Sequence, residues 1–199
     1  MRKMFILGVT GPSGAGKGTA CKILSTMGFY HIDTDSIVPL IYPKALPQLI
    51  EAFGPQVAKN GTVDKKALAN AAFSSSDATN TLNSIVHPLI MGEVSRRIRE
   101  AEKEGFQRVT VDGAALHEAN AEKICDKILC ILAPKEDRLI RVIDRDGISR
   151  QSATVRFNAQ KDDNYYKANS DAIILNCTVE QLQRDLIALI KEWESLWNL

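Results

Sequence analysis

Cysteine is scarce in this chain, and none of it has metal-site spacing. Cys21, Cys125, Cys130 and Cys177 are spread over 199 residues with no CxxC pair, and no His or Cys pair lies close enough to Cys125 or Cys130 to complete a zinc site. Buried or semi-buried free thiols are expected, which suits a reducing compartment. Charge of one sign is lacking too. Lys and Arg number 25 against 24 Asp and Glu, for a net +1, so nothing global favours nucleic acid or an anionic membrane surface. Any anion must be held by a local site. Long apolar runs are missing as well, and none approaches the ~20 residues that cross a bilayer. The opening MRKMFILGVTGPSG has a basic tip and about five apolar residues that lead straight into a glycine loop, which reads as a core strand rather than a signal peptide. Repeats, low-complexity tracts and long linkers are absent. These absences leave one soluble domain, expected in the cytoplasm, with no nucleic-acid or membrane partner. Oligomeric state is left open.

What is present supports a core: 45% of residues are hydrophobic and 25% charged, ordinary values for a globular protein. Met4–Val9, Phe29–Asp33, Arg108–Gly113, Lys127–Ala133 and Asp171–Asn176 are short apolar runs. Runs of this kind alternating with helical stretches predict an α/β fold, a parallel sheet of five strands covered by helices on both faces. A helix is expected from Lys17 to Met27 with Ala20, Ile23 and Leu24 inward and Gly28 closing it. From Pro39 to about Glu104 the pattern is helical, broken at YPKALP, FGPQVAKNGTVD and FSSSDATN, with Asp64 and Asp77 as expected helix caps. That is too much helix for one crossover and predicts an inserted helical subdomain. Leu182, Leu186, Leu189, Ile190, Trp193 and Trp197 recur at spacings of three and four, the pattern of a C-terminal helix docked on the sheet.

The first apolar run leads into GVTGPSGAGKGTACK, Gly8–Lys22. A strand, a glycine loop and a helix start in this order build an anion site, because backbone N–H groups and the helix dipole point at a phosphate and Lys17 reaches its β and γ groups. Gly11, Gly14, Ala15, Gly16, Lys17, Gly18 and Thr19 are the expected nucleotide cradle. One hydroxyl is missing: Gly18 stands where Ser or Thr would hold Mg²⁺, and Thr19 follows one residue late. The metal is therefore expected on phosphates, water and a carboxylate, with Thr19 near a phosphate. HIDTD (His31–Asp35) puts two carboxylates at the end of the second strand, where α/β folds bind ligands. Asp33 faces the γ-phosphate in this reading and can accept a proton from an incoming hydroxyl, whereas Asp35 suits a helix cap. Asp112, ending a third strand, is a candidate Mg²⁺ contact directly or through water. RLIRVIDR carries Arg138, Arg141 and Arg145 at helical spacing, cations of the kind phosphoryl transfer needs.

The GKGT loop resembles nucleoside monophosphate kinases, cytidylate kinases especially. Over nearly its whole length, however, the chain resembles dephospho-CoA kinases. The likeness rests on the D-x-D after the second strand, FG…NGTVDKKALANAAF (53–73), LNSIVHP (82–88), RVIDRDGIS (141–149), ATVRFNAQ (153–160) and SDAIILN (170–176). This resemblance implies a P-loop kinase that uses MgATP to phosphorylate the ribose 3′-hydroxyl of dephospho-CoA. It implies Asp33 as catalytic base, and Lys17, Arg141 and Arg145 on the phosphates. Arg156 and Gln160 would lie in a mobile lid and Asn176 near the adenine, with Asp35 and His87 on the acceptor side. The implied division is a core of about 1–36, 105–145 and 170–199, an acceptor-binding insert of about 37–104 and a lid of about 146–169. The chain departs from the pattern at DTDSIVP, which lacks a following arginine; at DGAALHE, where only Leu116 and Glu118 compare; and at HPLIM, with no arginine before Arg96. A monophosphate kinase and an ATP-binding module without useful catalysis stay open as alternatives.

Overall fold

The computed structural model describes residues 4–113, 116 and 121–197, with side chains to residue 195. Glu118 and the side chain of Trp197 therefore lie outside the described residues. The five apolar runs become the strands of one sheet: β1 (Phe5–Thr10), β2 (Tyr30–Asp33), β5 (Arg108–Asp112), β6 (Lys127–Leu132) and β7 (Ala172–Leu175). Their order is β2-β5-β1-β6-β7, and every neighbouring pair is parallel. The first strand is thus central, and the chain turns to opposite sides of it, which creates a crevice at the C-terminal strand ends.

Burial on both faces explains why these strands are almost wholly apolar. On one face Phe5, Leu7, Val9, Leu129 and Ile131 pack against α1 (Lys17–Thr26) and α8 (Val179–Trp197) through Ala20, Leu24, Leu182 and Leu186. The C-terminal helix is docked on the sheet as its spacing predicts. On the other side Ile32, Val109 and Val111 meet the helical segment between β2 and β5.

That segment holds α2 (Val38–Phe53), α3 (Lys65–Ala72) and α4 (Ser76–Lys103). Two expectations are corrected here. YPKALP does not break the helix: α2 runs through Pro43 and Pro47, because the lost hydrogen bonds are offset by burial of Ile41, Ala45 and Leu49 along one face. Asp77 is not the cap of α4; Ser75 accepts from Ala78 N, and Asp77 lies inside the first turn. Asp64 does cap α3, accepting from Lys66 N and Ala67 N. Between α2 and α3 a two-stranded hairpin, β3 (Ala58–Lys59) and β4 (Thr62–Val63), turns through Asn60 and Gly61, both at positive φ, the conformation that favours Asn-Gly in such turns. After β6 come α5 (Lys135–Asp146), α6 (Arg150–Asn158) and α7 (Asp163–Ala168). All four cysteines are free, but Cys177 is exposed rather than buried. No helix among the described residues is long and apolar enough to cross a membrane.

Candidate active site

β1 ends at Thr10 and α1 begins at Lys17, and the glycines between them are fixed by contact. Gly11, Gly14 and Gly16 have φ of 138°, 77° and 101°. A Cβ on Gly11 would stand 2.1 Å from the Ile131 carbonyl oxygen, and one on Gly14 2.4 Å from that of Arg138. One on Gly16 would stand 2.1 Å from Asn176 Nδ2. The loop is thus seated on β6, α5 and the end of β7. Gly16 caps α1 without any side-chain hydrogen bond, which leaves the amides of the first turn for an anion. Gly18 differs from the other three: it is exposed, and a Cβ there meets nothing within 4 Å.

Lys17 folds back over this loop and donates to the Gly11 carbonyl at 2.8 Å. Burial lowers its pKa, and Asp112 and Asp35 pull it partly back. Those carboxylates stand opposite. Asp33 and Asp112 are register partners at the ends of β2 and β5. Asp33 Oδ1 accepts from Asp35 N at 2.9 Å and from Ser36 N at 3.3 Å, so it is Asp33, not Asp35, that holds the turn into α2. The N-cap of α2 is Ile37, with no side-chain bond. Burial raises the Asp35 pKa, and the charges of Asp33 and Asp112 add to that rise. Asp112 is nine-tenths buried, and its Oδ1 has no hydrogen-bond partner among the described residues. Asp33 and Asp35 line the same cleft, and the buried, unpartnered Asp112 oxygen beside them is ligand chemistry that fits a hard divalent cation such as Mg²⁺.

Arginines close the other wall. Arg141 Nη1 donates to the Gly14 carbonyl at 3.3 Å, and Arg145 pairs with Asp146 at 2.7 Å. Arg138 turns away from this wall, against expectation: it is buried, pairs with Asp163 at 3.1 Å and lies over the Phe157 ring. The loop with the first turn of α1, the carboxylates Asp33, Asp35 and Asp112, and Arg141 and Arg145 enclose one cleft of about 580 Å³.

Other expected site residues lie outside that lining. Asn176 is buried beneath the loop, its Nδ2 donating to the Ala15 carbonyl at 2.8 Å, and Ala15 is itself buried. Gln160 reaches back from beyond α6: its Oε1 accepts from Ser13 N at 3.0 Å, and its Nε2 donates to Ser13 Oγ at 2.9 Å. Arg156 pairs with Asp146. The Asp146 carboxyl is held down at about 2 by its hydrogen bond to Arg145, with Arg156 adding to the effect. His87 is half-buried within α4 and is not among the cleft residues. Ser13, Lys22 and His31 do line the cleft, and the sequence reading passed over them. Periodicity could have found two: His31 alternates with Asp33 on one face of β2, and Lys22 lies four residues beyond Gly18 on α1.

The family model for dephospho-CoA kinase matches residues 5–181. The chain belongs to the dephospho-CoA kinase family. It is 34% identical over 194 residues to the dephospho-CoA kinase of Corynebacterium glutamicum, covering 95% of this chain and 100% of that one. Among solved structures it resembles TT1252 from Thermus thermophilus, with a TM-score of 0.83 and 27% identity over 96% of this chain and 98% of the other. It also resembles the dephospho-CoA kinase from Campylobacter jejuni, with a TM-score of 0.59 and 25% identity over 94% and 96% of the two chains. The five-stranded parallel sheet flanked by helices is thus the P-loop kinase fold, as the sequence predicts.

Proposed function

We propose that the protein transfers the γ-phosphoryl group of ATP to the ribose 3′-hydroxyl of dephospho-CoA, giving coenzyme A and ADP. The observation that carries this reading, in a chain of this family, is the meeting of Lys17, Asp33, Asp112, Arg141 and Arg145 around one cleft at the C-terminal edge of the sheet. In this mechanism the loop amides and Lys17 hold the β and γ phosphates, Lys17 exchanging its bond to the Gly11 carbonyl for phosphate oxygens. Asp33 keeps Oδ1 on the Asp35 and Ser36 amides and takes the hydroxyl proton on Oδ2. The acceptor oxygen bonds to the γ-phosphorus as the bond to the β-phosphate oxygen breaks, and ADP leaves. Arg141 and Arg145 offset the charge spread over the transferred group. Mg²⁺, when bound, neutralises and orients the phosphates; Asp112 would hold it directly or through water, with Thr19 nearby.

The remaining roles belong to the same proposal. The insert of about 37–104, with His87 and Asp35 on the acceptor side, receives dephospho-CoA. The segment of about 146–169, carrying Arg156 and Gln160, closes over the nucleotide and excludes water. Asn176 acts on the nucleotide site through Ala15 and Gly16. The four free thiols support a cytoplasmic setting.

The test is ATP-dependent turnover with Mg²⁺, comparing dephospho-CoA with CMP, UMP and AMP, beside Asp33→Asn. Turnover of dephospho-CoA alone, falling by about a hundredfold or more in the variant while ATP still binds, is expected. Turnover confined to a monophosphate, or none despite bound ATP, would overturn the reading.

A further inference from the structure

At the wall of the cleft three side chains of different chemistry converge. Cys21 comes from α1, His31 from β2 and Asp112 from β5, and each offers one ligand atom to a set whose members all lie within 4.8 Å of one another. His31 Nε2 and Asp112 Oδ2 are 3.8 Å apart, too long for a hydrogen bond. His31 Nε2 and Asp112 Oδ1 are both buried without a hydrogen-bond partner among the described residues. Leaving two buried polar atoms unsatisfied in one place is costly, and a cation between them removes the cost at both.

We propose that Cys21, His31 and Asp112 form a binding site for one divalent transition metal of the zinc class, separate in donor chemistry from the Mg²⁺ of the nucleotide. The donors are one sulfur, one imidazole nitrogen and one carboxylate oxygen. Mg²⁺ takes oxygen ligands, whereas Zn²⁺ accepts all three types in a tetrahedron. In such a tetrahedron, metal distances of roughly 2.0–2.3 Å set ligand atoms about 3.5 Å apart, so side-chain rotation of about an ångström closes the set. Three protein ligands leave a fourth position for water. His31 and Asp112 line the cleft, which gives the ion a path in and the water a place to sit. Cys21 is fully buried beside them. Its Sγ loses its proton to solvent as the sulfur–metal bond forms. An ion held here draws on the carboxylate that the nucleotide's metal would use, so the two metals compete for Asp112.

The site is tested without nucleotide or turnover, so its failure leaves the phosphotransfer reading untouched. The full chain, freed of metal with a chelator, is titrated with Co²⁺ as an optical probe. Expected are one Co²⁺ per chain and a thiolate-to-cobalt absorption band, bleached by Zn²⁺ and left in place by Mg²⁺ so long as no nucleotide is present to draw that ion to Asp112. Cys21→Ala should abolish the band and His31→Gln weaken Co²⁺ binding by at least about tenfold, with folding of each variant checked by thermal melting. Cys177→Ala, at an exposed thiol, should leave the band intact. Absence of the band in the folded native chain, or its loss in Cys177→Ala but not Cys21→Ala, would overturn the proposal. Should Cys21→Ala fail to fold, an unchanged Co²⁺ affinity in His31→Gln would overturn it equally.

Discussion

At Gly16 the backbone has a φ of 101°, and an added Cβ would meet Asn176 Nδ2 at 2.1 Å; two residues on, at Gly18, the same methyl group enters open space. Gly16→Ala should therefore cost ATP binding outright. Gly18→Ala should stabilise the fold by up to about 1 kcal/mol, because alanine gives up less entropy in a helix; calorimetric titration with ATP reads the first and urea denaturation the second. Gly18 thus answers to no steric demand from the protein around it. Lys17 supplies a pH prediction. Its folded-state pKa lies below 10.5 because burial disfavours the ammonium, so the charge that attracts phosphate is lost at lower pH than in a free lysine. ATP affinity measured by calorimetry should weaken as pH rises, with a midpoint below 10.5 in the free protein. Reading Lys17, Asp33 and the glycines required only their place after strands. Which carboxylate held the turn after β2 was not legible, since Asp33 and Asp35 both suit a cap and only the direction of the chain beyond Thr34 decides between them.

Elements were legible where a single periodicity ruled them. The five sheet strands and α8 follow from buried runs and one apolar stripe. The course of α2 through Pro43 and Pro47 was not legible, because proline's local penalty is visible in the sequence while the burial that offsets it comes from packing against α4 and the sheet. Similarly, Arg138, Arg141 and Arg145 read as one basic face, but α5 lies between the cleft and α6–α7, so it divides its arginines between them. The contact between Ser13 and the segment after α6 rests on two hydrogen bonds from Gln160, each worth about 0.5–1.5 kcal/mol net. Gln160→Ala should loosen that segment. Amide hydrogen exchange over α6 is expected to speed up by a factor of roughly five to a hundred and fifty, with the exchange of β1 unchanged.

For the whole molecule, β1 is the element on which both halves of the core depend. Leu7 is fully buried in the cluster beneath α1 and α8, so Leu7→Ala should cost about 2–5 kcal/mol. For a domain of this size that lowers the melting temperature by roughly 4–20 °C, a change read by calorimetry. The pairing of β1 also has a consequence for how the chain is made. Phe5 pairs with Arg108 and Leu7 with Lys127, so β1 waits for neighbours encoded about a hundred residues or more downstream. At about 5–20 residues per second, its apolar side chains wait roughly 5–25 s for β5 and β6 to be translated. A nascent chain released before about residue 132, the end of β6, carries a central strand with at least one bare edge. Such a fragment is a natural client for chaperones and a ready seed for aggregation.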